Sequence, residues 1–133
     1  GVEEFSCDAL FASNLCFNSD HILIFLSYVN FLLVVFGNDV MLGPYTTIRD
    51  MDGHDIYYSN DINMKQPINK ADDIYIGNHV WTGANVSILK GSKIPDGCIA
   101  AYGSCITKTF EETDCIIGGV PGRVIKKRIK WIR

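Results

Sequence analysis

The residues best suited to chemistry lie in one short stretch, Asp50-Met51-Asp52-Gly53-His54. An imidazole titrates near neutral pH, so it can take a proton from a hydroxyl and later return it to a leaving group. A carboxylate close by can orient that imidazole and stabilise its charged form. If the segment is extended, side-chain alternation puts residues 50, 52 and 54 on one side. Read alone, the same residues also describe a polar turn: Asp50 and Asp52 suit a turn around Gly53, and His54 suits a loop residue making one hydrogen bond. The other histidines are His21 and His79. His79 reads as a surface residue, and no pair of histidines has a spacing suited to a three-histidine zinc site, so no metal is expected.

The element that must position these residues has a period of six. From Ile76 to Phe110 the chain reads IGNHVW, TGANVS, ILKGSK, IPDGCI, AAYGSC, ITKTF. The first places hold Ile76, Thr82, Ile88, Ile94, Ala100 and Ile106; the fifth hold Val80, Val86, Ser92, Cys98, Ser104 and Phe110. Neither a helix nor a plain strand repeats this way. A hexapeptide β-helix does, with each six giving a short strand and a corner and every three sixes closing a triangular coil. No six buries its apolar side alone, so the coils must stack. The expected fold is all-β: a parallel β-helix, one domain over residues 1–133.

Regular sixes span residues 36–110, beginning FGNDVM, LGPYTT, IRDMDG, with KADDIY (Lys70 to Tyr75) as one further six. The residues left over, 54–69, are polar and read as an excursion loop, the kind of long loop that usually carries function. Residues 1–35 read as degenerate or irregular coils, with Phe5, Phe11 and Phe17 six apart. Residues 111–133 read as a turn, a short apolar strand, a Gly/Pro bend and a short amphipathic helix, its Ile125, Ile129 and Ile132 at helical spacing.

Composition narrows the class. At 47% hydrophobic and 20% charged, the chain can fill a core. A net charge of −3 gives no reason to expect nucleic acid as a partner. The apolar run Ile22 to Phe36 falls short of the roughly 20 residues that a membrane span needs, so no span is expected. The start at Gly1 suggests a cleaved tag or a cut end, and no signal peptide is visible. Five cysteines without a C-x-x-C pair suggest buried thiols in a reducing, cytoplasmic compartment.

Several segments in order, IGNHVWTGANVSILKGSKIPDGC, SCITKTF and IIGGVPGRVIKKRIKW, together with DMDGH, resemble the hexapeptide-repeat acyltransferases. The resemblance is to acetyltransferases that modify sugars of surface polysaccharides, and it covers Phe36 to Trp131. It implies a left-handed parallel β-helix, a homotrimer with clefts between subunits, acetyl-coenzyme A as cosubstrate and a saccharide acceptor. It makes His54 the catalytic base, with Asp50 or Asp52 orienting it. It assigns Gly83, Ala84, Tyr102 and Gly103 to the pantetheine groove and Trp81 to the wall of the acceptor and thioester site. Thr107 and Lys108 fall near the phosphates, and Arg123 and Lys126 near the adenosine end. Tyr102 stands where the family usually has Ala. Two other readings stay open on the residues: a non-catalytic trimeric β-helix that binds a ligand or partner, and an N-acetyltransferase acting on an amino sugar.

Overall fold

The computed structural model describes residues 3–5 and 34–133. The strands are short and stack into three sheets that form the sides of a coil. The first sheet holds β1 (Glu3–Phe5), β2 (Val34–Phe36), β5 (Ile74–Ile76) and β8 (Lys93–Ile94). The second holds β3 (Met41–Leu42), β6 (Trp81–Thr82), β9 (Ile99–Ala100), β11 (Cys115–Gly118) and β12 (Arg123–Lys127). The third holds β4 (Thr47–Arg49), β7 (Ser87–Leu89) and β10 (Cys105–Ile106). Among the described residues coil-to-coil pairing is parallel, and only β1 on β2 and β12 on β11 run antiparallel.

Burial follows the period of six. Phe36, Leu42, Ile48, Ile76, Thr82, Ile88, Ile94, Ala100 and Ile106, all first places, are buried. So are the fifth places Thr46, Ile74, Val80, Val86, Ser92, Cys98, Ser104 and Phe110. Pairing puts Ile48 beside Ile88 and Ile88 beside Ile106, so equivalent side chains lie in columns. Each fully buried isoleucine contributes roughly 1.5–3 kcal/mol over an exposed one. The polar fifth places are satisfied at the corners: the Thr46 hydroxyl donates to the Gly43 carbonyl at 2.8 Å, and those of Ser92 and Ser104 donate to the Leu89 and Ala101 carbonyls. The fourth place is the corner itself and takes left-handed backbone. Asp39, Tyr45, His79 and Asn85 have φ of 57°, 60°, 52° and 57°, and Gly91, Gly97 and Gly103 have 72°, 71° and 70°. That conformation favours Gly, Asn and Asp.

Two sequence expectations change. Residues 124–133 form no helix: β12 pairs antiparallel with β11, and Ile125 and Ile132 are exposed. The exposed edge of β11 offers unpaired backbone groups, and a returning strand satisfies them. Gly119, at φ 100°, lies in the turn that reverses the chain. The excursion also has a different extent. Ile76 and Ile94 pair 18 residues apart, but Phe36 and Ile76 pair 40 apart. The insertion is therefore 22 residues, and KADDIY closes an existing coil instead of adding a six. The degenerate coils expected before residue 34 lie outside the described residues, apart from β1.

Candidate active site

His54 lies in the excursion, which leaves the coil after β4 and returns at β5. Its side chain is exposed. The neck of the excursion is tied by Asn69. Its Oδ1 accepts the Ile56 N–H at 2.7 Å, and its Nδ2 donates to the Asp52 carboxylate at 2.9 Å and to the His54 carbonyl at 2.8 Å. Lys90, one coil further on, donates to Asp52 Oδ2 at 2.7 Å and to the Asn69 carbonyl at 3.2 Å. Lys90 first, and Asn69 second, hold the Asp52 carboxyl below the usual carboxylate range. The backbone beside His54 is thus fixed, while among the described residues no side chain hydrogen-bonds its imidazole.

Asp50, Asp52 and His54 do not share one face. Asp50 is buried, whereas Asp52 and His54 are exposed. The segment bends rather than extends, and Gly53 takes φ 97°, so strand alternation does not apply. The Asp50 carbonyl accepts the Asp72 N–H at 3.0 Å, closing the coil beneath the insertion.

Beside the neck runs an open groove of about 630 Å³ lined by Asn69, Lys70, Lys90, Thr107 and Lys108 among others. Thr107 and Lys108 therefore belong to the corner that carries His54. Three lysines and one carboxylate, Asp72, line the groove, and Lys90 is paired with Asp52.

A second group of candidates lies on the outer face of the second sheet. Residues paired across strands share a face. Trp81 pairs with Ile99, Ile99 with Ile116, and Ile116 with Lys126. Arg123 pairs with Gly118, two residues from Ile116, so a register shift in β12 puts Arg123 and Lys126 on the same outer face. The resemblance had already paired them, although the element was misread. The path between Trp81 and this basic pair passes Gly83, Ala101 and Gly118. A Cβ added at Gly83 would sit 2.8 Å from the Tyr102 backbone nitrogen, so only glycine lets the two coils stack here. Gly103 N–H donates to the Ala84 carbonyl at 3.0 Å, one coil across. The Tyr102 hydroxyl accepts Asn85 Nδ2 at 2.9 Å, which draws the ring toward that corner; the ring is exposed.

Within the chain the two groups are separate. His54 is at the corner between the third and first sheets, and Trp81 follows the corner between the first and second. The whole first sheet lies between them.

Sequence reasoning missed Asn69 and Lys90, the ties of the neck. It placed His79 on the surface, where its side chain is partly exposed, but missed its partners. Its Nδ1 lies 2.5 Å from Asp39 Oδ2, and its ring stacks on Trp131. Asp39 and His79 both occupy fourth places, but 40 residues apart, and that equivalence is visible only once the 22-residue insertion is known. Among the described residues no three His, Cys, Asp or Glu side chains group as metal ligands, and no helix is long and apolar enough to cross a membrane.

No protein-family profile matches the chain. Individual relatives do. The chain is 41% identical over 100 residues to a polysialic acid O-acetyltransferase of Escherichia coli O1:K1 / APEC, covering 75% of this chain and 31% of the relative. It superposes on the crystal structure of a polysialic acid O-acetyltransferase with a TM-score of 0.70 and 39% identity, covering 75% of this chain and 46% of the other. A galactoside acetyltransferase in complex with coenzyme A gives a TM-score of 0.58 at 30% identity, covering 71% and 44%. The chain thus spans less than half the length of each of these three. The three-sided coil is the left-handed parallel β-helix of these proteins. By sequence and by fold, the chain is a relative of the hexapeptide-repeat acetyltransferases.

Proposed function

We propose that the chain carries out acetyl transfer from acetyl-coenzyme A to a saccharide hydroxyl. The observation that carries this reading is the placing of an exposed imidazole, His54, at a polar-clamped neck on a scaffold 41% identical to an O-acetyltransferase. In the reaction His54 takes the acceptor hydroxyl proton as the oxygen attacks the thioester carbonyl. The tetrahedral oxyanion is stabilised by backbone N–H groups. The C–S bond then breaks, and the imidazolium returns its proton to the departing thiolate. Asp52, ionised and tied to Lys90 and Asn69, keeps the His54 backbone in place. Asp50 supports the same corner from below.

The cosubstrate lies along the second sheet. Trp81 walls the thioester end, Gly83, Ala84, Tyr102 and Gly103 let the pantetheine arm approach the backbone, and Arg123 and Lys126 meet the adenosine-end phosphates. Thr107 and Lys108 serve anionic groups at the His54 corner. Because a whole sheet separates His54 from Trp81 in one protomer, a complete site takes His54 from one copy and Trp81 from the next. That fits a homotrimer, with the exposed Ile56, Tyr58, Ile62 and Met64 of the excursion covered by a neighbouring copy. A reaction consuming acetyl-coenzyme A fits a cytoplasmic protein.

Calorimetric titration with acetyl-coenzyme A, on the chain and on R123A/K126A, tests the cosubstrate track. Micromolar binding that weakens at least tenfold in the double variant supports it. A folded chain with no binding removes it.

A further inference from the structure

Five side chains converge on the corner that precedes β6: Asp39, His79, Trp81, Trp131 and Arg133. His79 Nδ1 lies 2.5 Å from Asp39 Oδ2, and its Nε2 lies 3.0 Å from the Trp131 carbonyl oxygen. An ionised carboxylate and a carbonyl can only accept, so both ring nitrogens are donors and the imidazole is cationic in this arrangement. The ring lies flat on the Trp131 indole, with centroids 3.8 Å apart and planes at 5°. Trp131 Nε1 donates back to the His79 carbonyl at 3.1 Å. Arg133 completes the clasp, its guanidinium reaching Asp39 Oδ1 at 2.8 and 2.9 Å. Trp131 is buried while Lys130 before it and Ile132 and Arg133 after it are exposed, so the indole is the anchored part of this segment. It also meets Trp81, with centroids 5.9 Å apart and planes at 47°.

We propose that Trp131 is a positioning residue for Trp81, and that His79 and Asp39 hold Trp131 against it most firmly while the imidazole is protonated. This rests on the reading of Trp81 as a wall of the acetyl-transfer site. Trp81 opens β6, an inner strand of its sheet, and its side chain is partly exposed; the Trp131 indole lies against the ring and limits how far it can turn.

The charged groups around His79 fix the direction of the pH response. Asp39 faces it from the preceding coil and Arg133 from the segment after β12. On the following coil is Asp96, whose Oδ1 accepts the Asn78 N–H at 2.7 Å. The hydrogen bond to Asp39, then the one to the Trp131 carbonyl, raise the His79 pKa above the ordinary 6.5, against the opposing Arg133 charge. The bond to His79 lowers that of Asp39 below 3.8. A raised histidine pKa means that the imidazolium's contribution to the clasp is fully present below pH 6.5 and is lost as pH rises through the raised value. The lowered Asp39 value keeps the carboxylate ionised in mild acid. Docking is therefore strongest from mildly acidic to neutral pH and weakens in alkali.

The chain has two tryptophans, and both are in this cluster. A stacked imidazolium quenches indole emission, so intrinsic fluorescence reads the clasp directly. The full chain is titrated from acid to alkali beside His79→Asn. The expected result is emission that rises through one transition above the ordinary histidine range, absent in the variant. A flat profile, or the same transition in His79→Asn, overturns the clasp. Kinetics then test positioning. Trp131→Ala raises the acceptor KM severalfold with kcat little changed, Trp131→Phe restores it, and His79→Asn reproduces the rise at acidic pH. An unchanged KM in Trp131→Ala makes the contact merely structural and overturns the positioning role. Should the wild-type chain turn over no saccharide at all, the acetyl-transfer reading fails, while the fluorescence titration still decides the clasp.

Discussion

The coil and its excursion are built on opposite terms. In the coil, identity is set by place: every first-place residue from Phe36 to Ile106 is buried, and columns such as Ile48, Ile88 and Ile106 repeat the same contact. In the excursion, no regular strand forms between Asp50 and Asp73, and Ile56, Tyr58, Ile62 and Met64 face outward. One region is held by apolar stacking, the other by a few polar ties centred on Asn69. The contrast teaches where function can be placed. A scaffold whose energy lies in its columns tolerates a 22-residue insertion at one corner, and that insertion can carry a reactive side chain at no cost to the core.

The contrast breaks if the coil proves as tolerant as the excursion. Ile88→Ala removes the middle of a column and should cost about 2–5 kcal/mol, seen as a large fall in thermal midpoint. Gly83→Ala forces a methyl toward the Tyr102 backbone nitrogen. Overpacking of that kind costs about 1–3 kcal/mol, and calorimetry should show weakened acetyl-coenzyme A binding beside the lower midpoint. Changes in the excursion should do the reverse. Asn69→Ala loses three side-chain hydrogen bonds at the neck. Turnover should fall by roughly tenfold to a hundredfold, as misplacement of a catalytic group does, with the thermal midpoint nearly unchanged. The smallest effect is acid sensitivity of the neck. The Asp52 pKa is lowered, so its tie to Lys90 is present above the ordinary carboxylate range and lost as pH falls through the lowered value. The pair is partly exposed, so the loss should be within about 1 kcal/mol. Amide exchange at Ile56 and Ile68, followed with decreasing pH, would detect it.

What the sequence disclosed follows the same division. Places in the coil were readable because a period of six repeats a physical environment, and Thr82 or Ser104 could be put inside despite being polar. The corner residues Asp39, His79, Asn85 and Gly103 were readable as outward, but not as left-handed backbone. The neck was not readable: Asn69 and Lys90 meet through a coil closure whose register depends on the insertion length. The helical spacing of Ile125, Ile129 and Ile132 misled for a related reason. The open edge of β11, a tertiary feature, decided the element in favour of β12. Of the candidate site, the grouping of Arg123 with Lys126 and the stacking of Gly83 on Tyr102 were visible; the separation of His54 from Trp81 by a full sheet was not.

The most direct test of the account is steady-state turnover of acetyl-coenzyme A by His54→Ala with a saccharide acceptor, measured beside its coenzyme affinity. The account predicts a fall in kcat of about 10²–10⁴-fold, the usual worth of a general base, with affinity for acetyl-coenzyme A unchanged. Turnover within a fewfold of the wild-type chain would contradict it, since the imidazole would then hold no proton in the reaction.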